Sequence, residues 1–187
     1  MARKRCRRFD SPGDAHELTF SCFRRLPLLS RDRTRGWLVE AIGEARKRER
    51  FDLWAFVIMP EHVHVLVRPR EPEYQVSRIL WRIKRPVGQR AIAYSRAHAP
   101  AFLPKLSVKR EDGTMEYRFW QAGGGYDRNV VEEGTLRKMI DYIHQNPVRR
   151  GLVDRPENWT WSSARWYAGL DSVALEMDRT LPRVYEL

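Results

Sequence analysis

The segment Pro60-Glu61-His62-Val63-His64-Val65-Leu66-Val67 carries two imidazoles two residues apart in an alternating polar and apolar run. Successive strand side chains point to opposite faces, so His62 and His64 share one face while Val63, Val65 and Val67 share the other. Two ring nitrogens one pleat apart can grip a single divalent metal. On spacing alone they read equally well as two partly exposed strand histidines. A second group sits near the end of the chain, where Leu136, Met139, Ile140 and Ile143 recur at the spacing of a buried helical stripe, over about Glu132 to Asn146. At 100° per residue, Tyr142 and Asn146 lie about 40° apart on one flank of that stripe, and His144 falls on the other. A phenol and a carboxamide one turn apart, facing an imidazole pair, can supply a nucleophile and an oxygen ligand. Taken alone they also read as a rim tyrosine and a helix-ending asparagine before Pro147. Tyr126, just after Gly123-Gly124-Gly125, is a rival nucleophile on a loop able to present it.

These groups need a scaffold, and the hydropathy pattern supplies one. His16–Phe23 alternates Leu18, Phe20 and Cys22 with polar partners and reads as a half-buried strand. Arg31–Arg50 carries Leu38, Ala41, Ile42 and Ala45 at helical spacing. Phe51–Met59 and His62–Val67, separated by the turn signal Pro60-Glu61, form an antiparallel hairpin. Val76, Ile79, Leu80, Ile83 and Val87 then make a helical stripe, with Arg78, Arg82, Lys84, Arg85 and Arg90 around it as a basic outer face and Pro86 expected to kink or split it. Residues 99–113 read as a loop, and a short strand is expected around Met115–Gln121. The order β-α-β-β-α-β followed by a helix is the ferredoxin-like split βαβ arrangement, an α+β fold with an antiparallel sheet, two helices on one face and a further C-terminal helix.

The chain has 187 residues, 35 Lys+Arg against 24 Asp+Glu, and a formal net charge of +11. Its 42% hydrophobic content is enough for a core and too high for a disordered polycation. The longest apolar run, Trp54–Met59, is far short of the roughly 20 residues that cross a bilayer, so no membrane partner and a cytoplasmic location are expected. Cys6 and Cys22 form no paired framework or cysteine zinc cluster and read as free thiols. A basic surface interleaved with aromatics favours nucleic acid over a membrane surface. Residues 1–14, with Arg3, Lys4, Arg5, Arg7 and Arg8, read as a basic arm before a domain of residues 15–150. Residues 151–187, with Trp159 and Trp161, read as an aromatic extension packing back on that domain.

Met59-Pro-Glu-His-Val-His-Val-Leu66, Arg118-Phe-Trp-Gln121, Asp141-Tyr-Ile-His-Gln-Asn-Pro-Val-Arg-Arg-Gly-Leu-Val153 and Pro156-Glu-Asn-Trp-Thr-Trp-Ser-Ser-Ala-Arg-Trp-Tyr167 occur in that order. Together they resemble the signature blocks of the REP-associated tyrosine transposases, in the single-tyrosine HUH superfamily with the insertion-sequence-200-like transposases. The resemblance implies a metal-dependent endonuclease and strand transferase on single-stranded DNA, acting beside a hairpin through a 5′-phosphotyrosine intermediate. It implies His62 and His64 as metal ligands, Asn146 as the third ligand, Tyr142 as the nucleophile, and Mg²⁺ or Mn²⁺ as the cofactor. Arg78, Arg82, Lys84, Arg85 and Arg90 are the expected DNA contacts, and a homodimer is an assembly the sequence leaves open. Two other readings stand beside this one. The first is a non-catalytic hairpin binder on the same fold. The second is a histidine-triad nucleotide hydrolase, against which Leu66 occupies the place of the third histidine.

Overall fold

A computed structural model describes residues 10–130 and 132–182. The arginines and lysine at positions 3–8, and Cys6, lie outside the described residues. The chain runs β1 (Ala15–Ser21), α1 (Asp32–Glu49), β2 (Phe51–Ile58), β3 (His62–Pro69), α2 (Val76–His98), α3 (Leu103–Leu106), β4 (Ser107–Lys109), β5 (Met115–Tyr117), β6 (Tyr126–Val130), α4 (Glu133–Arg149) and α5 (Ala164–Tyr167). Four strands form one antiparallel sheet in the order β2-β3-β1-β6. This is the ferredoxin-like topology, with β6 as its fourth strand.

Each face of the sheet is covered by a different helical layer. Val63, Val65 and Val67 of β3 join Leu18 and Phe20 of β1 and Phe51, Leu53, Phe56 and Ile58 of β2 beneath α1 and α2. From above, α1 contributes Leu38, Ala41, Ile42 and Ala45, and α2 contributes Val76, Ile79, Leu80, Ile83 and Val87. Each fully buried aliphatic side chain there contributes about 1.5–3 kcal/mol. Leu66 points the other way, with Ala15, Ala55, Val57 and Met59, under Leu136, Met139, Ile140 and Ile143 of α4. In β2 the alternation survives an irregularity: the register shifts between Leu53 and Ala55, and Trp54 and Ala55 both pack on the α4 side.

Three expectations from the sequence need correction. The Met115–Gln121 strand is not in the main sheet, because Met115–Tyr117 pairs with Ser107–Lys109, from the expected loop, in a separate hairpin. The sheet takes Tyr126–Val130 instead, entered through Gly125 at φ +76, where a Cβ would meet the Thr19 carbonyl oxygen at 2.1 Å. Helix α2 is not split at Pro86, since it runs as one helix from Val76 to His98. Ile79 and Ile83 before the proline and Val87 and Ala91 after it are all buried, and anchoring on both sides offsets a penalty of about 3 kcal/mol. Helix α4 likewise passes Pro147 and ends at Arg149 rather than at Asn146.

Residues 151–182 pack back on the body, as their aromatic content suggests. They also cover the free edge of β2, which would otherwise expose unpaired backbone groups. Ile58 N donates to the Trp161 carbonyl at 2.9 Å and Ser163 N to the Phe56 carbonyl at 2.9 Å. Phe56 N donates to Ser163 Oγ at 2.9 Å, and Trp159 Nε1 to the Ile58 carbonyl at 3.0 Å. The Arg35 guanidinium lies 5.0 Å from the Trp159 ring and 5.8 Å from the Trp161 ring.

His144 joins this extension to α4, with Nε2 2.8 Å from Ser163 Oγ. Burial pushes its pKa down from 6.5 to about 4. Between those values the unfolded chain takes up a proton that the folded chain refuses, so stability is full above 6.5 and declines as pH falls toward 4. The loss attributable to His144 should approach about 3 kcal/mol. Urea denaturation across this range should show a shallower pH dependence for His144→Gln than for the wild type. Identical profiles would remove His144 as the cause.

Candidate active site

The pleat of the sheet sets out the site in rows. Across β6, β1 and β3, Tyr126 pairs with Thr19 and Thr19 with His64; one row along, Arg128 pairs with Glu17 and Glu17 with Leu66. Ser21 pairs with His62. Directly paired residues point to the same face, so Glu17, Thr19, Ser21, His62, His64, Tyr126 and Arg128 all look toward α4. The polar positions of β1, which as a sequence read only as the wet side of a half-buried strand, are therefore site residues. Their signal was the i, i+2 run Glu17, Thr19, Ser21, which mirrors His62 and His64 across the strand pair.

Helix α4 brings the second set. The Tyr142 ring stands nearly perpendicular to His64, with centroids 5.7 Å apart, and His64 stands similarly to His62 at 5.0 Å. Tyr142 is 41% exposed, so its ring reaches solvent while still touching the imidazole pair. Arg149 places its guanidinium carbon 4.9 Å from the Tyr142 centroid. Tyr126 faces the same cleft from two strands away, about 10 Å from His64 at ordinary strand spacing. The structure thus sets His62, His64, Asn146 and both tyrosines around one cleft, and Tyr142 is the tyrosine whose ring packs on His64.

Asn146 is held by a consequence of Pro147. A proline has no amide hydrogen, so the Ile143 carbonyl loses its usual i+4 donor. Asn146 Nδ2 donates to the Tyr142 carbonyl at 2.8 Å and approaches the Ile143 carbonyl at 3.4 Å. With the nitrogen committed to the helix, the side-chain carbonyl oxygen is the end left for the cleft. The Asn-Pro pair, which resembles a helix stop, here lies inside a helix that continues to Arg149.

The imidazoles differ in their support. His64 Nδ1 lies 2.9 Å from Glu17 Oε1 and 2.9 Å from Thr19 Oγ1, and Thr19 Oγ1 donates to Glu17 Oε1 at 2.8 Å. Burial works to raise the Glu17 pKa, but the His64 and Thr19 hydrogen bonds outweigh it and hold the carboxyl below its usual range. His62 Nδ1 is buried with no hydrogen-bond partner, although Glu61 Oε1 is 3.3 Å away. Glu61 Oε1 is drawn instead to Arg150 Nη2 at 3.1 Å. Burial lowers the His62 pKa to about 4 and keeps its ring neutral. A neutral imidazole has a lone pair to give to a metal.

The cleft encloses about 830 Å³, and Arg25, Arg128, Lys138 and Arg150 line it against one carboxylate, Glu17, among the described residues. Arg24 and Arg25 both adopt left-handed backbone, at φ 53 and 54, in the turn that delivers Arg25 to this wall. Sequence reasoning missed all four cations because they come from separate elements. The cations it did pick stand across the sheet, on α2. There Arg78 and Arg82 both pair with Glu49, and Arg90 pairs with Glu40. Arg85 lies 4.8 Å from the Trp81 ring, and Lys84 Nζ donates to the Gly123 carbonyl at 3.0 Å. Cys22 is buried, and burial raises its thiol pKa to about 12. Among the described residues no helix is long and apolar enough to cross a membrane.

Two imidazoles, a carboxamide and an exposed phenol line one cleft whose charge suits a polyanion. A protein of Haemophilus influenzae named "Putative REP-associated tyrosine transposase" is 26% identical over 152 residues, which cover 73% of this chain and 76% of that protein. A solved structure of a REP-associated tyrosine transposase bound to a REP hairpin superposes with a TM-score of 0.66 at 24% identity, covering 95% of this chain and 94% of that one. Residues 15–146, which span the sheet, the imidazole pair, Tyr142 and Asn146, match the family described as Transposase IS200 like, and the chain belongs to that family.

Proposed function

We propose that this transposase cleaves and rejoins single-stranded DNA beside a hairpin, with Tyr142 as the nucleophile. The observation that carries this reading is the edge-on contact of an exposed tyrosine with His64 inside a cationic cleft. Tyr142 Oη attacks a backbone phosphorus as the bond to the 3′-oxygen breaks. The 3′-oxygen leaves as a hydroxyl, and the phenol proton is given up. The 5′-phosphotyrosine ester that forms keeps the bond energy, so a 3′-OH can reverse the step without ATP. Arg149 holds the ring, while Arg25, Arg128, Lys138 and Arg150 draw the phosphates into the cleft.

His62, His64 and Asn146 would hold a divalent cation. The Asn146 amide would join the imidazole pair as the third protein ligand, since all three side chains line the same cleft. Imidazole nitrogen with amide oxygen is a donor set that Mn²⁺ accepts and that Mg²⁺ accepts chiefly through its oxygen. When bound, such an ion polarises the scissile phosphate. The hairpin as partner is supported by the solved relative, which was captured on one.

A labelled hairpin with single-stranded flanks, resolved on denaturing gels, tests this reading. Tyr142→Phe keeps the ring and its packing but deletes the attacking oxygen, so hairpin binding should persist while nicking and the covalent adduct vanish. Tyr126→Phe should retain both. An adduct mapped to Tyr126 by mass spectrometry would overturn the assignment, and binding without any adduct in the wild type would leave a non-catalytic hairpin binder.

His62→Ala and His64→Ala should each abolish cleavage and weaken Mn²⁺ binding in calorimetry, with hairpin affinity largely kept. Unchanged Mn²⁺ affinity in both would make these histidines structural. Affinity for single strands should fall steeply with salt, each neutralised phosphate adding about −0.7 to the slope of log K against log salt. Lys138→Ala should reduce that slope by about one such contact. A slope unchanged in Lys138→Ala but reduced in Arg85→Ala would move the track of the strand to the α2 face.

A further inference from the structure

We propose that Glu17 is a positioning residue for the reaction: with Thr19 it fixes His64 in the tautomer that carries its proton on Nδ1, which presents Nε2 to a divalent cation in the cleft. The proposal deepens the metal-dependent reading above and rests on it.

The argument is a count of donors and acceptors at one nitrogen. His64 Nδ1 has Glu17 Oε1 and Thr19 Oγ1 as neighbours, both at 2.9 Å. Glu17 can only accept when ionised, and the Thr19 hydroxyl hydrogen is already given to Glu17 Oε1 at 2.8 Å. Both neighbours of Nδ1 are therefore acceptors. A bare lone pair there would face two others in a buried site, whereas a proton satisfies both. Arg128 is paired with Glu17 across the strands, a cation beside the carboxylate. Once Nδ1 holds the proton, Nε2 holds the lone pair, and it is the ring nitrogen left to face Tyr142 and the cleft.

His62 shows what the arrangement adds. Its Nδ1 is equally buried yet has no hydrogen-bond partner. Glu61 Oε1 stands 3.3 Å from that nitrogen without a hydrogen bond to it, so the firmly held member of the pair is the one against the tyrosine. Glu17 and Thr19 sit one pleat apart on β1, Thr19 directly beside His64 and Glu17 diagonal to it. The same strand pairing that builds the sheet thus also sets the orientation of the ring. Histidines that ligate metals commonly give their other N–H to a carboxylate in this way, and losing that partner costs about 10–100-fold in metal affinity.

The test reads the ring before any metal or DNA is added. Imidazole ¹⁵N shifts of the metal-free full chain, recorded above the ordinary imidazole titration range, should place the His64 proton on Nδ1. In Glu17→Ala the population should move toward Nε2–H, and Mn²⁺ affinity by calorimetry should drop by about 10–100-fold. Glu17→Gln keeps an accepting oxygen and should restore the Nδ1–H form and most of the affinity. Wild-type His64 in the Nε2–H form would overturn the proposal without any variant having to fold. So would Glu17→Ala with both tautomer and affinity unchanged. Glu17→Gln as weak as Glu17→Ala would mean that the charge of Glu17 acts on the metal directly, and the positioning role would fall. If the tautomer switches as expected but no form of the protein binds Mn²⁺, the metal reading fails while the orientation of His64 by Glu17 stands.

Discussion

Everything in this molecule hangs on the pleat of one strand. β3 is flanked by β2 and β1 in the sheet interior, and its alternation sends Val63, Val65 and Val67 into one helical layer and His62, His64 and Leu66 toward the other. Because the side-chain period is two, a slip of one residue would drive both imidazoles into the α1 and α2 core and expose three valines. The register that buries the hydrophobic layer is thus the register that aims the histidines. The packing energy of the three valines guards the site geometry, since burying an uncompensated imidazole costs more than any local rearrangement could return.

Helix α4 depends on that arrangement in turn. Its stripe, Leu136, Met139, Ile140 and Ile143, needs an apolar floor, which Ala15, Ala55, Val57, Met59 and Leu66 provide. Once the stripe is seated, the flank carrying Tyr142 and Asn146 has no choice but to overhang the polar half of the same face. Pro147 adds a local constraint by removing a backbone donor, and Asn146 answers it with its own side chain. The amide nitrogen of Asn146 is thereby tied to its own helix, chiefly to the Tyr142 carbonyl and more loosely to the Ile143 carbonyl that Pro147 leaves without a donor.

Elements with clean periodicity were legible in the sequence: the stripes of α1, α2 and α4 and the alternation of β3 lie where their spacing puts them. β6 was not legible, because its inward residues are Asp127 and Asn129. Asp127 is buried through a 3.0 Å contact between its Oδ1 and His16 Nδ1, and Tyr74 closes the other side of that ring at 2.7 Å. A strand whose core side is polar and paired at long range has no hydrophobic signature. Met115–Gln121 has the composition of a strand and so drew the assignment, although its partner is local. At the site, His62, His64, Tyr142 and Asn146 could be named from spacing and from family-like blocks. Glu17, Arg25, Arg128 and Lys138 could not, since only the cross-strand pairing and the lie of α4 bring them together.

The placement of charge follows the same logic and bears on how one basic chain can recognise a nucleic acid at a defined place. The basic helix α2 faces away from the imidazoles and spends Arg78, Arg82 and Arg90 on Glu49 and Glu40 of α1. Those pairs tie the two helices of one layer together and reduce that layer's free field. The cleft carries fewer cations but concentrates them between low-dielectric walls, where the field of each is screened less. Net charge brings a polyanion to the surface, and the uneven neutralisation of that charge decides where along the surface it stays. In this chain Arg25, Arg128, Lys138 and Arg150 converge on the cleft that Tyr142 also lines, so the positive wall offered to a strand and the candidate nucleophile share one cleft.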